Sequence, residues 1–174
     1  MSHLKLVEPQ MGLEKEYLSF YQEWKDSGES MVPWVISKDP REFQRMLEDL
    51  ERHQHGIDLP EGWVPDSTFW LVNEQDRILG AVNIRHQLSP YLLQAGGHIG
   101  YGIRPSERGK GYAATMLKLS LIEAKKLGIL KVLVVCDADN TASEKTILHN
   151  GGRRDSDFTQ QDGNVIRRYW IINE

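Results

Sequence analysis

One cysteine, Cys136, is all the sulfur chemistry this chain of 174 residues has to offer beyond methionine. A disulfide within the chain is therefore excluded, and a reducing, cytoplasmic setting is expected. No apolar run approaches the roughly 20 residues a membrane span requires. MSHLKLVEPQ has no apolar signal-peptide region either. Positive charge is not in excess: the formal net charge is −4, so the chain as a whole has no nucleic-acid footprint. Internal repeats, low-complexity tracts and a linker-like composition shift are missing too, so one domain spanning residues 1–174 is expected.

What is present is organised around Gly97 to Gly128, GHIGYGIRPSERGKGYAATMLKLSLIEAKKLG. Ala114, Leu117, Leu121 and Ala124 recur at helical spacing, with Lys118, Glu123, Lys125 and Lys126 mostly on the other side. Gly128 is a C-terminal stop with two lysines in the last turn. The start of this helix is the informative end. Arg108, Gly109, Lys110 and Gly111 precede it, with Tyr112 and Ala113 next. Small residues let a ligand approach the backbone, and the unpaired amides of a first helical turn favour an anion. The stretch reads as a phosphate cradle, with a plain strand-to-helix turn as the alternative. A Walker A loop fits worse, because Gly111 is followed by Tyr112 rather than Lys-Ser/Thr. A dinucleotide fingerprint fits worse as well, since the following strand, Lys131–Cys136, carries no acidic residue for a ribose.

Before this unit, Leu4–Val7 reads as a strand ended near Pro9, and Leu13–Trp24 as a helix whose Tyr17, Phe20, Tyr21 and Trp24 form a core stripe. Ser27–Pro33 is a loop. Asp39 and Pro40 start a second helix, buried through Phe43, Met46, Leu47 and Leu50. His53 and His55 fall at its frayed, solvated end; a metal is not expected, for want of a third ligand nearby. Gly56–Asp66 is irregular, either linker or the border of a substrate site. Thr68–Val72 and Ile78–Arg85 form a hairpin over 73–77. Ser89–Gly97 is a connection, and His98–Ile103 is a strand. After the long helix come the strand Lys131–Cys136, a helix over Thr141–His149, and strands near Arg153–Phe158 and Val165–Ile172 with Asp162-Gly163 between. Strand, helix, strand predicts a right-handed crossover and a parallel pair. Cys136 reads as a buried strand residue. Arg85 and His86 read as a solvated strand edge, or else as a site for an acidic group on a ligand.

Arg108-x-x-Gly111-x-Ala113, with a strand before and a helix after, resembles the signature of the GNAT family of N-acetyltransferases. The resemblance runs from about Leu71 to Trp170 and is clearest between His98 and Gly152. It implies an α/β (α+β) fold: a mixed, mostly antiparallel central sheet of about seven strands, with a central parallel pair and helices on both faces. It implies transfer of an acetyl group from acetyl-CoA to a primary amine of a small molecule or peptide, by a monomer or homodimer that binds neither nucleic acid nor membrane. The cofactor-binding residues it implies are Ile103, Arg108, Gly109, Lys110, Gly111, Tyr112, Ala113, Asn140 and Ser143; Ser143 also reads as a helix cap. Two positions depart from the family pattern. Where a glutamate base is common stands His98, whose imidazole titrates near neutrality and can take a proton; a histidine hydrogen-bonded to a loop at a strand start is the other reading. Where a tyrosine acid is common stands Ile147, which has no proton to give. A non-catalytic acyl-CoA-binding domain of the same fold is the main alternative, and a nucleotide-binding module a second.

Overall fold

A computed structural model describes residues 3–174. It holds eight strands and four α-helices: β1 (Lys5–Val7), α1 (Glu14–Ser27), α2 (Phe43–Gln54), β2 (Asp66–Val72), β3 (Ile78–Arg85), β4 (Ile99–Ile103), α3 (Tyr112–Lys126), β5 (Lys131–Asp137), α4 (Thr141–His149), β6 (Arg153–Arg154), β7 (Phe158–Thr159) and β8 (Val165–Ile172). β1 to β4 pair in chain order as one antiparallel sheet. β5 pairs β8, and β6 and β7 each pair β8, all antiparallel, as a second.

The expected parallel pair is thus not a ladder, and the expected single sheet of about seven strands is two sheets of four. The reason lies where β4 meets β5. His98 donates its amide to Leu133 O at 2.7 Å, and its ring Nδ1 accepts the Leu133 amide at 2.9 Å. One residue thus uses both backbone groups of Leu133, and beyond it β4 and β5 separate. The inner edge of β4, paired on its other side to β3, faces a gap.

Each face of the first sheet carries helices. On one, Tyr17, Phe20 and Trp24 of α1 and Phe43, Met46 and Leu50 of α2 pack on Trp70, Val72, Ile78 and Ala81. Tyr17 stacks on Trp70 with ring centroids 4.5 Å apart. Burying each such ring contributes about 1.5–3 kcal/mol. On the other face, Met116, Leu117 and Ala124 of α3 and Ile147 of α4 meet Leu71, Val82, Ile99 and Ile103, and this core continues through Val132 and Val134 into the second sheet. Of the periodic stripe its sequence shows, the long helix buries Leu117 and Ala124 fully and Ala114 and Leu121 partly, and it buries Met116 and Ser120 beside them.

Four local expectations are revised. α2 starts at Phe43, because Asp39 uses its side chain on the amide and guanidinium of Arg41 rather than capping a helix. His53 is not solvated: it lies among Trp34, Trp63 and Asp66, while His55 is exposed. The stretch 153–158 is two short strands rather than one. Arg104, whose charge the sequence would place near the basic Arg108–Lys110 loop, is buried and bound to Glu16, Glu23 and Ser19, fastening α1 to the end of β4. Burial works against Glu23 ionising, yet hydrogen bonds from Ser106 and Arg104 hold its carboxyl down at about 2.

Candidate functional site

β4 links two places that bear on function. At its C-terminal end, past Pro105, the chain turns through Gly109 and Gly111, both at positive φ, into α3. Gly111 is the residue before the helix, at φ +79°, where any side chain would strain the backbone although the space around it is open. The amides of Tyr112, Ala113 and Ala114 have no intrahelical acceptor, and none donates to another described residue. The cations expected to help are already engaged. Arg108 donates to Ile103 O, pairs with Glu29 at 2.7 Å and lies 5.0 Å over the Trp24 ring. Lys110 pairs with Glu107 at 2.8 Å. What the loop offers an anion is therefore backbone N–H and helix dipole more than free side-chain charge.

At the other end of β4 lies a cavity of about 840 Å³. Residues from four parts of the chain line it, the segment with Ser89, Leu92 and Ala95 among them. Val32, Pro33 and Trp34 with Glu61 to Val64 form the rim; Asp66, Asn83 and Arg85 come from the hairpin; Tyr101, Val135, Cys136, Asn140 and Ser143 border the β4–β5 gap. The irregular stretch 56–66 is thus, in part, a wall of the site. Trp34 and Trp63 meet edge to face at 4.7 Å, half-exposed at the mouth.

Tyr101 and Ser143 bring their hydroxyls within 2.7 Å of one another in this gap. Burial pushes the Tyr101 phenol up to about 12, against the pull of the Ser143 hydrogen bond, so it is a proton-bearing donor at ordinary pH. Asn140 accepts the Ser143 amide at 3.1 Å and so is the cap of α4, leaving the Ser143 hydroxyl for Tyr101. Burial raises the Cys136 thiol to about 11, which keeps it protonated and unreactive. Ile147 is fully buried in the core. Ile103 is buried too, with its carbonyl taken by Arg108, and Tyr112 and Ala113 pack partly against the same core.

His98, expected as the base, stands at the junction of the sheets and is not among the residues lining the cavity. Its one free lone pair is used on the Leu133 amide. Burial, reinforced by the nearby Arg85 guanidinium, lowers its imidazole to about 4. A ring so placed is neutral at working pH, with its hydrogen on Nε2.

Sequence reasoning missed the pair Asp66 and Asn83. Asp66 is 4 % exposed and Asn83 fully buried. The Asn83 amide donates to Asp66 Oδ1 at 2.6 Å and to Thr68 at 3.2 Å, which fixes its NH2 end, while its Oδ1 has no partner. His53 Nδ1 lies 3.3 Å from Asp66 Oδ2, too oblique for a hydrogen bond. The only advance signal was an alternating strand carrying Asn83 and Arg85 on one face. Arg85 is half-buried rather than at a solvated edge, while His86 is satisfied separately by Ser67 at 2.8 Å.

A family model described as an acetyltransferase (GNAT) domain matches residues 10–153. No curated protein matches the sequence. Among solved structures, an acetyltransferase from Salmonella typhimurium that modifies the N-terminal serine of ribosomal protein L7/L12 superposes with a TM-score of 0.68 at 17% identity, over 97% of this chain and 94% of that one. The microcin C7 self-immunity acetyltransferase MccE, solved with acetyl-CoA and AMP, has the same score and identity, over 97% and 92%. A spermidine N-acetyltransferase variant from Vibrio cholerae scores 0.64 at 15%, over 98% and 95%. At such identities the likeness is one of fold.

Proposed function

Because the chain belongs to the GNAT family of acetyltransferases, we propose that it carries an acetyl group from acetyl-CoA to a primary amine. The observation that carries this reading is the pairing of an open, glycine-bearing helix N-terminus with a strand whose inner edge is unpaired and leads to the cavity. The loop amides suit a pyrophosphate. The free edge of β4 suits an amide-bearing arm, which can add to it as a strand would. The cavity then receives the acceptor. Of the residues expected at the cofactor, Gly109, Gly111, Tyr112 and Ala113 serve through the backbone. Asn140 and Ser143 flank the arm, Ile103 packs in the core and holds Arg108 through its carbonyl, and Arg108 and Lys110 support the loop through Glu29 and Glu107.

The amine nitrogen attacks the thioester carbonyl carbon, the C–S bond breaks, and the thiolate leaves. Holding both reactants in one cavity supplies much of the rate. Tyr101 and Ser143 offer hydroxyl donors where the sulfur would leave. A phenol held near 12 stabilises a thiolate by hydrogen bonding, and water completes its protonation. His98 is assigned to the sheet junction instead of proton transfer. Residues 1–174 act as one domain.

Calorimetric titration tests the reading directly. Acetyl-CoA should bind and should raise the melting temperature; at 100 times its Kd the added stability is about 2.7 kcal/mol. Release of free thiol on adding an amine separates an enzyme from a binding domain. No thermal shift at millimolar acetyl-CoA rejects the reading, and binding without turnover across an amine panel favours the non-catalytic alternative.

A further inference from the structure

A buried acceptor with no donor and a guanidinium with no carboxylate stand two residues apart on one face of β3. Asn83 Oδ1 is a fully buried acceptor without a donor. Arg85 is a largely enclosed guanidinium whose single hydrogen bond among the described residues is from Nη1 to Gly96 O, at 3.2 Å. Of the arginines that are not exposed, Arg77, Arg104, Arg167 and Arg168 each hold a carboxylate; Arg85 alone has none within ion-pair reach among the described residues. Buried acceptors and buried cations are costly without partners, and both of these line the cavity. Along the strand their Cα atoms are separated by about 6.6 Å. The backbone has been shaped for the guanidinium: a Cβ on Gly100 would lie 3.0 Å from Arg85 Nη2.

We propose that the acceptor is a free α-amino acid with an apolar or aromatic side chain, its ammonium held by Asn83 Oδ1 and Asp66, its carboxylate by Arg85, and its side chain by Trp34 and Trp63. This rests on the acetyltransfer reading above and names its substrate class. The three groups match the three parts of such a molecule. An acceptor oxygen and a carboxylate suit an ammonium, while the planar fork of a guanidinium suits a carboxylate. The rim tryptophans supply aromatic surface with their edges already in contact. Glu61 and Asp137 also border the cavity, at exposed positions, so a second carboxylate on the ligand is disfavoured. In the reaction Asp66 takes one ammonium proton, becoming a neutral carboxylic acid. The freed lone pair attacks the thioester, the thiolate departs, and the acetamide's second proton is lost to water.

The test begins with acetyl-CoA binding to the parent, Arg85→Gln, Arg85→Lys and Asn83→Leu, read by calorimetry before any acceptor is added. Failure there by the parent removes the underlying reading and is visible as such. Thiol release is then measured with L-phenylalanine, L-phenylalaninamide and 2-phenylethylamine. The parent should use phenylalanine at least tenfold more efficiently, in kcat/KM, than either compound lacking the carboxylate. Arg85→Gln should raise KM for phenylalanine at least tenfold and leave 2-phenylethylamine within about twofold; Arg85→Lys should fall between. Asn83→Leu should lower turnover of all three with acetyl-CoA affinity kept. A parent that binds acetyl-CoA but uses phenylalaninamide or 2-phenylethylamine as well as phenylalanine, or uses none of them, overturns the proposal. An equal loss on all three compounds in Arg85→Gln does so too. Preference for the amide would point to a peptide N-terminus. Because the parent's own ranking decides the first question, a variant that fails to fold does not shelter the idea.

Discussion

His98 keeps a hydrogen on Nε2 and offers its other nitrogen to Leu133. Protonating the ring would break that bond and place a cation in a buried position beside Arg85. Its folded value, about 4, lies below the ordinary 6.5. The unfolded chain therefore binds a proton between those values that the folded chain does not. The associated stability is complete above pH 6.5 and is lost as pH falls toward 4. Urea midpoints measured from pH 8 to pH 5 should drop more steeply in the parent than in His98→Asn, whose amide oxygen can accept from Leu133 but does not titrate. Equal slopes would show a ring that titrates freely. Turnover should distinguish the roles as well. A general base is worth roughly 10²–10⁴, whereas a junction residue replaced by another acceptor should keep acetylation within tenfold of the parent.

At the scale of elements, α3 was legible from its sequence because its period, its glycine stop and its glycine start are all local signals. The hairpin of β2 and β3 was legible for the same reason. The relation between β4 and β5 was not, since a crossover helix ordinarily joins parallel neighbours and nothing local shows one histidine side chain taking the place of a ladder bond. The acceptor end of the site was hidden likewise: Asp66, Asn83 and Arg85 are separated in the chain and meet only when the hairpin pairs, with Asp66 opposite Arg85 and Thr68 opposite Asn83. His53 looked like a frayed terminus because the tryptophans that cover it come from two other loops. The start of α3 supports a direct test. Gly111→Asp adds a side chain and a negative charge where phosphates would approach, and should weaken acetyl-CoA binding at least a hundredfold by titration. Its left-handed backbone costs a non-glycine residue about 1–2 kcal/mol, so the protein should melt lower yet remain folded. Unchanged affinity would put the pyrophosphate elsewhere.

Over the whole molecule, two antiparallel sheets share one core and separate after a single shared residue. Backbone groups along an open strand edge exchange with water unless something pairs with them. Hydrogen exchange should therefore show the amides of His98 and Leu133 protected with or without ligand, and peptides covering 99–103 and 134–137, already partly protected by β3 and β8, slowed further on adding acetyl-CoA. No change in those peptides would mean that the ligand does not enter between the sheets. The arrangement of the five tryptophans has a different kind of consequence. Trp24 and Trp70 are sealed in the core. Trp34 and Trp63, by contrast, stand half in solvent at the mouth of the cavity. Indole emission shifts with the polarity around the ring, so the Trp34–Trp63 pair gives the molecule its own optical gauge of whether that doorway is wet or filled, with no dye attached and over a background from Trp24, Trp70 and the partly exposed Trp170.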